Sequence, residues 1–285
     1  MDMKAAKILM TMNKCFRAPT HPFNLKNEGI MSYAEWQYEK GEDTIKFYLN
    51  FTSTDKMFLK KTVLDVGCGE AGKTLYYASM GVKEIFGLEI LEKYRRGAEG
   101  LAEKKGLSEK FRYICRDASD TKLASGSIDT VIMNDAMEHV SDPEGVLREC
   151  ARILKPGGRL YVNFPPYHHP FGAHLSDAIY IPWVHLIFGE KTLISAYKQL
   201  VEGLPDGRER VEFRISADDN GKEYFSYINK MTIKKFKAIV KGLPSGLKLV
   251  YYKEEPLRGF LSGMAKAPLL REMLVKMVVA VFEKK

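Results

Sequence analysis

"VLDVGCGEAG", residues 63–72, decides how the rest of the chain is read. Val63, Leu64 and Val66 around one acid read as a short buried strand, and "GKTLYYASMG" behind it reads as a helix closed by Gly81. Between the two, Gly67, Gly69 and Gly72 satisfy the spacing GxGxxG. Glycines there let the backbone turn tightly and come close to a ligand. A glycine pattern alone fits a tight turn as well, so the neighbouring acids carry the distinction.

Glu89 ends the next apolar run, "EIFGLEI", about twenty residues on. A carboxylate there can accept from both hydroxyls of a ribose, in NAD or in S-adenosylmethionine. Asp65 separates the two. Beside a pyrophosphate it adds like-charge repulsion; beside the ammonium and sulfonium of S-adenosylmethionine its charge is favourable. The plainer alternative is a strand-end acid capping backbone amides.

Outward from this loop the chain alternates. "FRYICRD", "DTVIMND" and "RLYVNF" read as further strands, and "LEKYRRGAEGLAEKKG" as a polar helix ending at Gly106. "SDPEGVLRECARILKPGG" is a marked helix: Ser141 or Asp142 caps it, Pro143 suits its first turn, and Gly157 and Gly158 are expected to end it. Such alternation implies an α/β fold, a parallel sheet covered on both faces. It lapses over residues 167–230, read as an insertion of loops, short helices and a hairpin around "RVEFRIS". It resumes with a helix from Thr232, the strand "LKLVYYKEE", a helical excursion and a last strand, "KMVVAVFEK". Residues 1–60 read as an N-terminal helical cap, and 61–285 as the main domain.

The 285 residues, 45% hydrophobic, can bury a full core. Four scattered cysteines, with no CxxC pair, argue against a disulfide framework or zinc ribbon and point to a reducing cytoplasm. The greasy C-terminal stretch is broken by Lys266, Pro268, Arg271, Glu272 and Lys276, which argues against a transmembrane segment. From Lys230 onward there are 13 Lys or Arg against 4 Glu, so this part holds all of the chain's net charge of +8. These lysines are not interleaved with aromatics, which disfavours nucleic acid; a solvated surface or a peripheral anionic-surface contact remains. The oligomeric state is not legible.

"VLDVGCGEAG", "GLEI", "RDAS", "IMNDAMEHVSDP" and "RILKPGGRLYV" stand in the order and spacing of the class I S-adenosylmethionine-dependent methyltransferases, which residues 60–165 resemble. "EHVSDPEGVLRECARILKPGG" looks most like the branch that includes the quinone-biosynthesis methyltransferases (methyltransferase-11-like). The resemblance implies a Rossmann-like seven-stranded, mostly parallel sheet of order 3-2-1-4-5-7-6 with its last strand antiparallel. It implies S-adenosyl-L-methionine as cofactor and S-adenosyl-L-homocysteine as product. Carried over by position, Asp65, Gly67, Cys68 and Gly69 would line the methionine half. Glu89 would hold the ribose, Ile90 would lie on the adenine, and Asp117 and Ala118 would meet its amino edge. Asn134 would stand near the methionine or the reacting centre. Tyr33 and Trp36 of the cap would close over the cofactor; packing of cap on sheet is the alternative for both.

Methyl transfer from a sulfonium needs the nucleophile, methyl and sulfur in line, and a base when the acceptor is a hydroxyl. His139, just past the fourth strand, is the first candidate base, with a loop-fixing role as the alternative; Asp135 is a weaker one. "NFPPYHHPFGAHLSDAIYIPW", residues 163–183, is read as a flap or pocket wall. "NFPPY" is not the box of amino-methylating DNA enzymes, which belongs at the end of the fourth strand. No metal site is expected, because adjacent histidines rarely aim at one ion. Tyr167, His168, Phe171, His174, Tyr180 and Trp183 are the candidate acceptor contacts, with His168 and His169 as reserve bases. The expected activity is O- or C-methylation of a small phenolic, quinone-like or prenyl-type acceptor. An RNA or protein methyltransferase, a nucleotide-dependent oxidoreductase and a silent cofactor-binding module stay open.

Overall fold

The computed structural model describes residues 2–243, 246–259 and 261–285. Its strands are β1 Thr62–Val66, β2 Glu84–Glu89, β3 Phe111–Cys115, β4 Ile128–Asn134, β5 Leu154–Phe164, β6 Ile215–Ala217, β7 Glu223–Phe225, β8 Leu247–Pro256 and β9 Val275–Lys284. Seven form one sheet in the order β3-β2-β1-β4-β5-β9-β8. Counted within the sheet this is 3-2-1-4-5-7-6, as expected. β1 pairs in parallel with β2 and β4, and β9 runs antiparallel to β5. β1 is buried along its whole length, including Asp65, because helices cover both faces of a parallel sheet.

The chain divides into two compact units. The sheet unit comprises Met31–Phe164, Ile233–Glu255 and Met277–Lys285. Its core joins Val63, Leu75, Ile85, Ile132 and Val281 to Tyr48, Met57 and Phe58 from the segment before β1. The second unit comprises Met1–Ile30, Pro165–Thr232 and Pro256–Lys276, with a core of its own around Leu9, Ile179, Ile194, Tyr197 and Tyr227. The segment 1–60, read from sequence as one cap, is therefore shared between two cores. Ala6 and Leu9 bury in the second unit, while Ile45, Tyr48 and Phe58 bury in the first. In the second unit Asn13 donates to the Ala178 carbonyl (2.8 Å) and accepts from the Tyr180 amide (2.6 Å), joining segments more than 160 residues apart.

Two local expectations are corrected. The helix capped by Asp142, which accepts from the Gly145 amide at 2.8 Å, ends at Ile153 and not at the glycines. Pro156 has no amide to continue the helix and disfavours helical backbone at Lys155, and the chain is already extended at Leu154. The hairpin falls on β6 and β7, while "RVEFR" completes the helix Gly207–Arg214. Asp218 sets that turn by accepting from the Asn220 and Lys222 amides, and Gly221 supplies a positive φ of 73°.

The helix Tyr33–Glu39 starts from a capping box, in which Ser32 and Glu35 satisfy each other's amides. It packs directly on the helix Gly72–Ala78, and Gly72 makes that approach possible. A Cβ on Gly72 would stand 2.2 Å from the Ala34 carbonyl oxygen and 2.6 Å from the Gln37 Cβ. Gly72→Ala is expected to cost about 1–3 kcal/mol in urea unfolding through overpacking. Gly100→Ala, on a helix with nothing within 4 Å of the new methyl, should instead stabilise by about 0.5–1 kcal/mol.

Candidate functional site

The carboxyl ends of β1, β2, β3 and β4 gather most of the predicted cofactor residues in the sheet unit. Gly67 and Gly69 take positive φ of 78° and 53°, and Ala71 takes 62° just before the helix Gly72–Ala78. These left-handed residues fold the loop back over β2: the Gly67 and Cys68 amides donate to the Leu88 carbonyl at 2.8 and 3.0 Å. The Cys68 thiol turns into the core, 2% exposed, so only its backbone belongs to the loop.

Glu89 ties the loop from the other side. Its Oε2 accepts from the Gly69 amide (3.0 Å), and its Oε1 from the Ile90 (2.9 Å) and Leu91 (3.2 Å) amides. A carboxylate has about four acceptor sites, and three are used here. To hold both hydroxyls of a ribose, one of these loop bonds has to yield. Ile90 beside it is 62% exposed, an apolar side chain without cover at the sheet edge. Asp117 is exposed and folds an Asx turn, its Oδ1 accepting from the Ser119 amide (2.7 Å) and hydroxyl (2.6 Å). Its Oδ2 has no protein partner among the described residues. Ala118, half-buried, follows it in the same turn.

Asp65 lies beneath the loop and is 2% exposed. Its Oδ2 accepts from the Thr74 hydroxyl at 2.5 Å. Burial raises its pKa from 3.8 to about 6, against the Thr74 bond and the charge of Lys73. The carboxyl is thus held close to titration where a cationic ligand would favour its ionised form.

Asn134 is tied into the scaffold through its side chain. Its amide is consumed by structure: Oδ1 accepts from the Tyr48 hydroxyl (2.6 Å), and Nδ2 donates to Tyr77 Oη (3.0 Å) and the Thr44 carbonyl (3.3 Å). Both amide hydrogens are spent, and the residue is 2% exposed. Sequence reasoning also missed Lys73, the Thr74 hydroxyl and Tyr48. The first two had a signal, since Gly67 through Thr74 also fits GxxxxGK[ST]. They do not serve as a phosphate loop: Lys73 Nζ donates to the Asn134 carbonyl (3.0 Å), and Thr74 is held by Asp65. Tyr48 had no motif signal.

His139 lies in the turn after β4, closed by its amide to the Ala136 carbonyl (3.0 Å), and its imidazole is one-third exposed. Burial first, then the charge of Asp135, pushes the pKa of the neighbouring Glu138 carboxyl well above its usual range. Tyr33 and Trp36 are half-buried and stacked, with ring centroids 6.4 Å apart. A cavity of about 410 Å³ at the amino ends of the strands, lined by Lys61, Asp129, Arg159 and Tyr161, contains none of the predicted residues.

The remaining candidates lie in the second unit. His169 accepts from the Phe171 amide through Nδ1 (3.2 Å), and burial lowers its pKa to about 4. A base that weak carries little catalytic force at neutral pH, which counts against His169 as a reserve base. Tyr167 packs its ring between His168 (5.7 Å) and His185 (4.8 Å). The carbonyl of His174 accepts from Arg214 (3.4 Å), and Trp183 Nε1 donates to the Met273 carbonyl (3.3 Å). Tyr180 is held through its amide by Asn13. An unforeseen buried cluster also stands here: Asp177 accepts from Arg210, Arg214 (each 3.1 Å) and the Tyr197 hydroxyl (2.8 Å).

The comparisons with known proteins agree with this layout. Residues 64–162 match the family described as "Methyltransferase domain". A chloroplastic tocopherol O-methyltransferase of Arabidopsis thaliana is 28% identical over 151 residues, covering 53% of this chain and 42% of that protein. A sterol 24-C-methyltransferase of Gibberella zeae is 39% identical over 97 residues, covering 34% of this chain and 25% of that protein. The matched stretches therefore span less than half the length of these relatives. Among solved structures, a putative sarcosine dimethylglycine methyltransferase from Galdieria sulphuraria superposes with a TM-score of 0.55 at 15% identity, over 92% of this chain and 96% of that one. At that identity it shows the shared fold. No described helix is long and apolar enough to cross a membrane.

The Asp65 environment sets a pH dependence. Its folded pKa is raised, so between about pH 4 and 6 the folded state binds more protons than the unfolded chain, and stability falls as pH rises through that window. Asp65→Asn should remove this component and stabilise the free protein at pH 7.5 by about 1–3 kcal/mol, read from thermal melts across pH.

Proposed function

Because residues 64–162 carry a class I, S-adenosylmethionine-dependent methyltransferase domain, we propose that the chain methylates a small molecule. The reading is O- or C-methylation of a phenolic, quinone-like or prenyl-type acceptor. The observation that carries it is Asp65, a buried carboxyl directly under the glycine loop, poised near pH 6. A cation above it restores its charge, whereas a pyrophosphate would meet that charge with repulsion. This favours S-adenosylmethionine over a nicotinamide dinucleotide. The names of the relatives, a tocopherol O-methyltransferase and a sterol 24-C-methyltransferase, support a lipophilic acceptor.

The groups present fit the cofactor. Bare glycine backbone leaves room over the loop, Glu89 offers a carboxylate, Ile90 an uncovered apolar face and Asp117 an open Oδ2. When bound, S-adenosylmethionine supplies a methyl on a positively charged sulfur, an intrinsically good leaving group. The chain's part is to orient and to exclude water. Asp65 would face the cationic methionine end, and Glu89 the ribose. His139, next to Glu138, would take the proton of a hydroxyl acceptor. Tyr167, His168, Phe171, His174, Tyr180 and Trp183 are proposed to tell acceptors apart.

Isothermal titration should show S-adenosylmethionine and S-adenosylhomocysteine binding at micromolar levels, with NADH inert. Tight NADH binding without either would establish the oxidoreductase reading instead. Binding of the cofactor to Asp65→Asn should be about tenfold weaker at pH 7.5 and should lose its rise with pH between about 5 and 7. With an accepted phenol or quinol, His139→Ala should lower kcat by about 10²-fold or more with cofactor affinity kept. His168→Ala should change acceptor KM. An unchanged kcat in His139→Ala would remove His139 from the chemistry.

A further inference from the structure

Lys73 is a buried ammonium with no part in the reading above. It stands at the second position of the helix Gly72–Ala78, with its side chain 10% exposed. Nζ donates to the Asn134 carbonyl at 3.0 Å and meets Asp135 Oδ2 at 3.4 Å. Burial works against its charge, but the Asp135 carboxylate and the groups around it, Asp65 among them, hold the pKa above its ordinary value. Lys73 therefore stays a cation inside the sheet unit, at the carboxyl edge where β1 and β4 lie side by side.

Its partner is held in a particular way. Asp135 takes a left-handed backbone, φ 51°, which a non-glycine residue adopts only when its surroundings enforce it. Its amide donates to the carbonyl (3.0 Å) and side-chain oxygen (3.3 Å) of Asn163 at the end of β5. Lys73 holds Oδ2, while Oδ1 has no protein partner among the described residues, and the side chain is 44% exposed. The result is a carboxylate fixed by one oxygen and presented to solvent by the other, one residue beyond β4.

A purely structural need would not call for this pair. Burying the Lys73 ammonium costs desolvation that an apolar side chain would not, so a cation kept at the proposed ligand-binding edge points to an electrostatic task. The task follows from the charge change of the proposed reaction, on which this inference rests. As the acceptor's electron pair bonds the methyl carbon, the carbon–sulfur bond breaks and its electrons stay on sulfur. The cofactor thus loses one positive charge and the product sulfur is neutral. The negative field of Asp65 and Asp135 favours the sulfonium over that product, and the Lys73 charge opposes it. We propose that Lys73 is a positioning residue that fixes Asp135 at the sheet edge and, through its charge, limits how strongly the site prefers the sulfonium cofactor over its neutral product.

The test is the ratio of Kd for S-adenosylhomocysteine to Kd for S-adenosylmethionine, measured by titration. It is compared across the full chain, Lys73→Met, Lys73→Arg, Asp135→Asn and the double variant. Lys73→Met should raise the ratio about three- to tenfold, and Asp135→Asn should lower it by a similar factor. The double variant should return to within about twofold of the parent, and Lys73→Arg should leave the ratio unchanged. A Lys73→Met variant that weakens both ligands equally shows a structural role only and overturns the proposal. If Lys73→Met does not fold, Asp135→Asn decides alone: an unchanged ratio overturns the proposal and a lowered one supports it. A parent chain that binds neither ligand overturns the cofactor reading itself, a result distinct from every other.

Discussion

The sheet unit depends on one buried amide. Asn134 ends β4, and its side chain accepts one hydrogen bond, from Tyr48, and donates two, to Thr44 and Tyr77. Tyr48 and Thr44 reach it from the segment before β1, and Tyr77 reaches it from the helix behind the glycine loop. Asn163, its Cα partner on β5, donates to the same Thr44 carbonyl (3.3 Å). Each such bond contributes roughly 1 kcal/mol net, but leaving one of these buried groups unmet costs about 1–3 kcal/mol. The network therefore acts as one piece: it locks residues 41–48 onto the ends of β4 and β5 and sets the floor on which Lys73 and Asp135 rest.

Above that floor the site is built from residues that do two jobs each. Glu89 is the expected ribose acceptor and also the clamp on Gly69. Asp65 accepts from Thr74 and is the carboxylate proposed to face the cationic end of the cofactor. Asp117 folds its own turn and keeps one oxygen outward. Each of these carboxylates has at least one protein partner that fixes its orientation.

Much of this was legible in advance, for local reasons. The parallel sheet followed from alternation, and its strand order from the resemblance of five motifs in register. That the candidate residues at the strand ends share one edge was legible because parallel strands place their carboxyl ends together. What escaped is long-range. Tyr48 is 86 residues from Asn134, and no spacing announces that its hydroxyl ends on that amide. The histidine-rich run drew attention as chemistry, yet His169 and His185 are both pushed to a pKa of about 4 by burial. A histidine's type is visible in sequence, but its desolvation is not. The same holds for Asp177, which meets Arg210 and Arg214 across 33 and 37 residues of chain.

The sequence by itself determined the sheet, the glycine loop and the acids that flank it, because strand period, helix caps and left-handed glycines act within a few residues. Tertiary structure decided the rest. It divided the first sixty residues between two cores, since Leu9 and Tyr48 bury against different segments. It spent Asn134 on scaffolding and turned the Cys68 thiol inward. It made Lys73, an ordinary lysine in the sequence, a buried cation facing Asp135. The physical reason is that burial and charge proximity fix what a titratable or polar group does, and both are set by chain segments far apart in sequence.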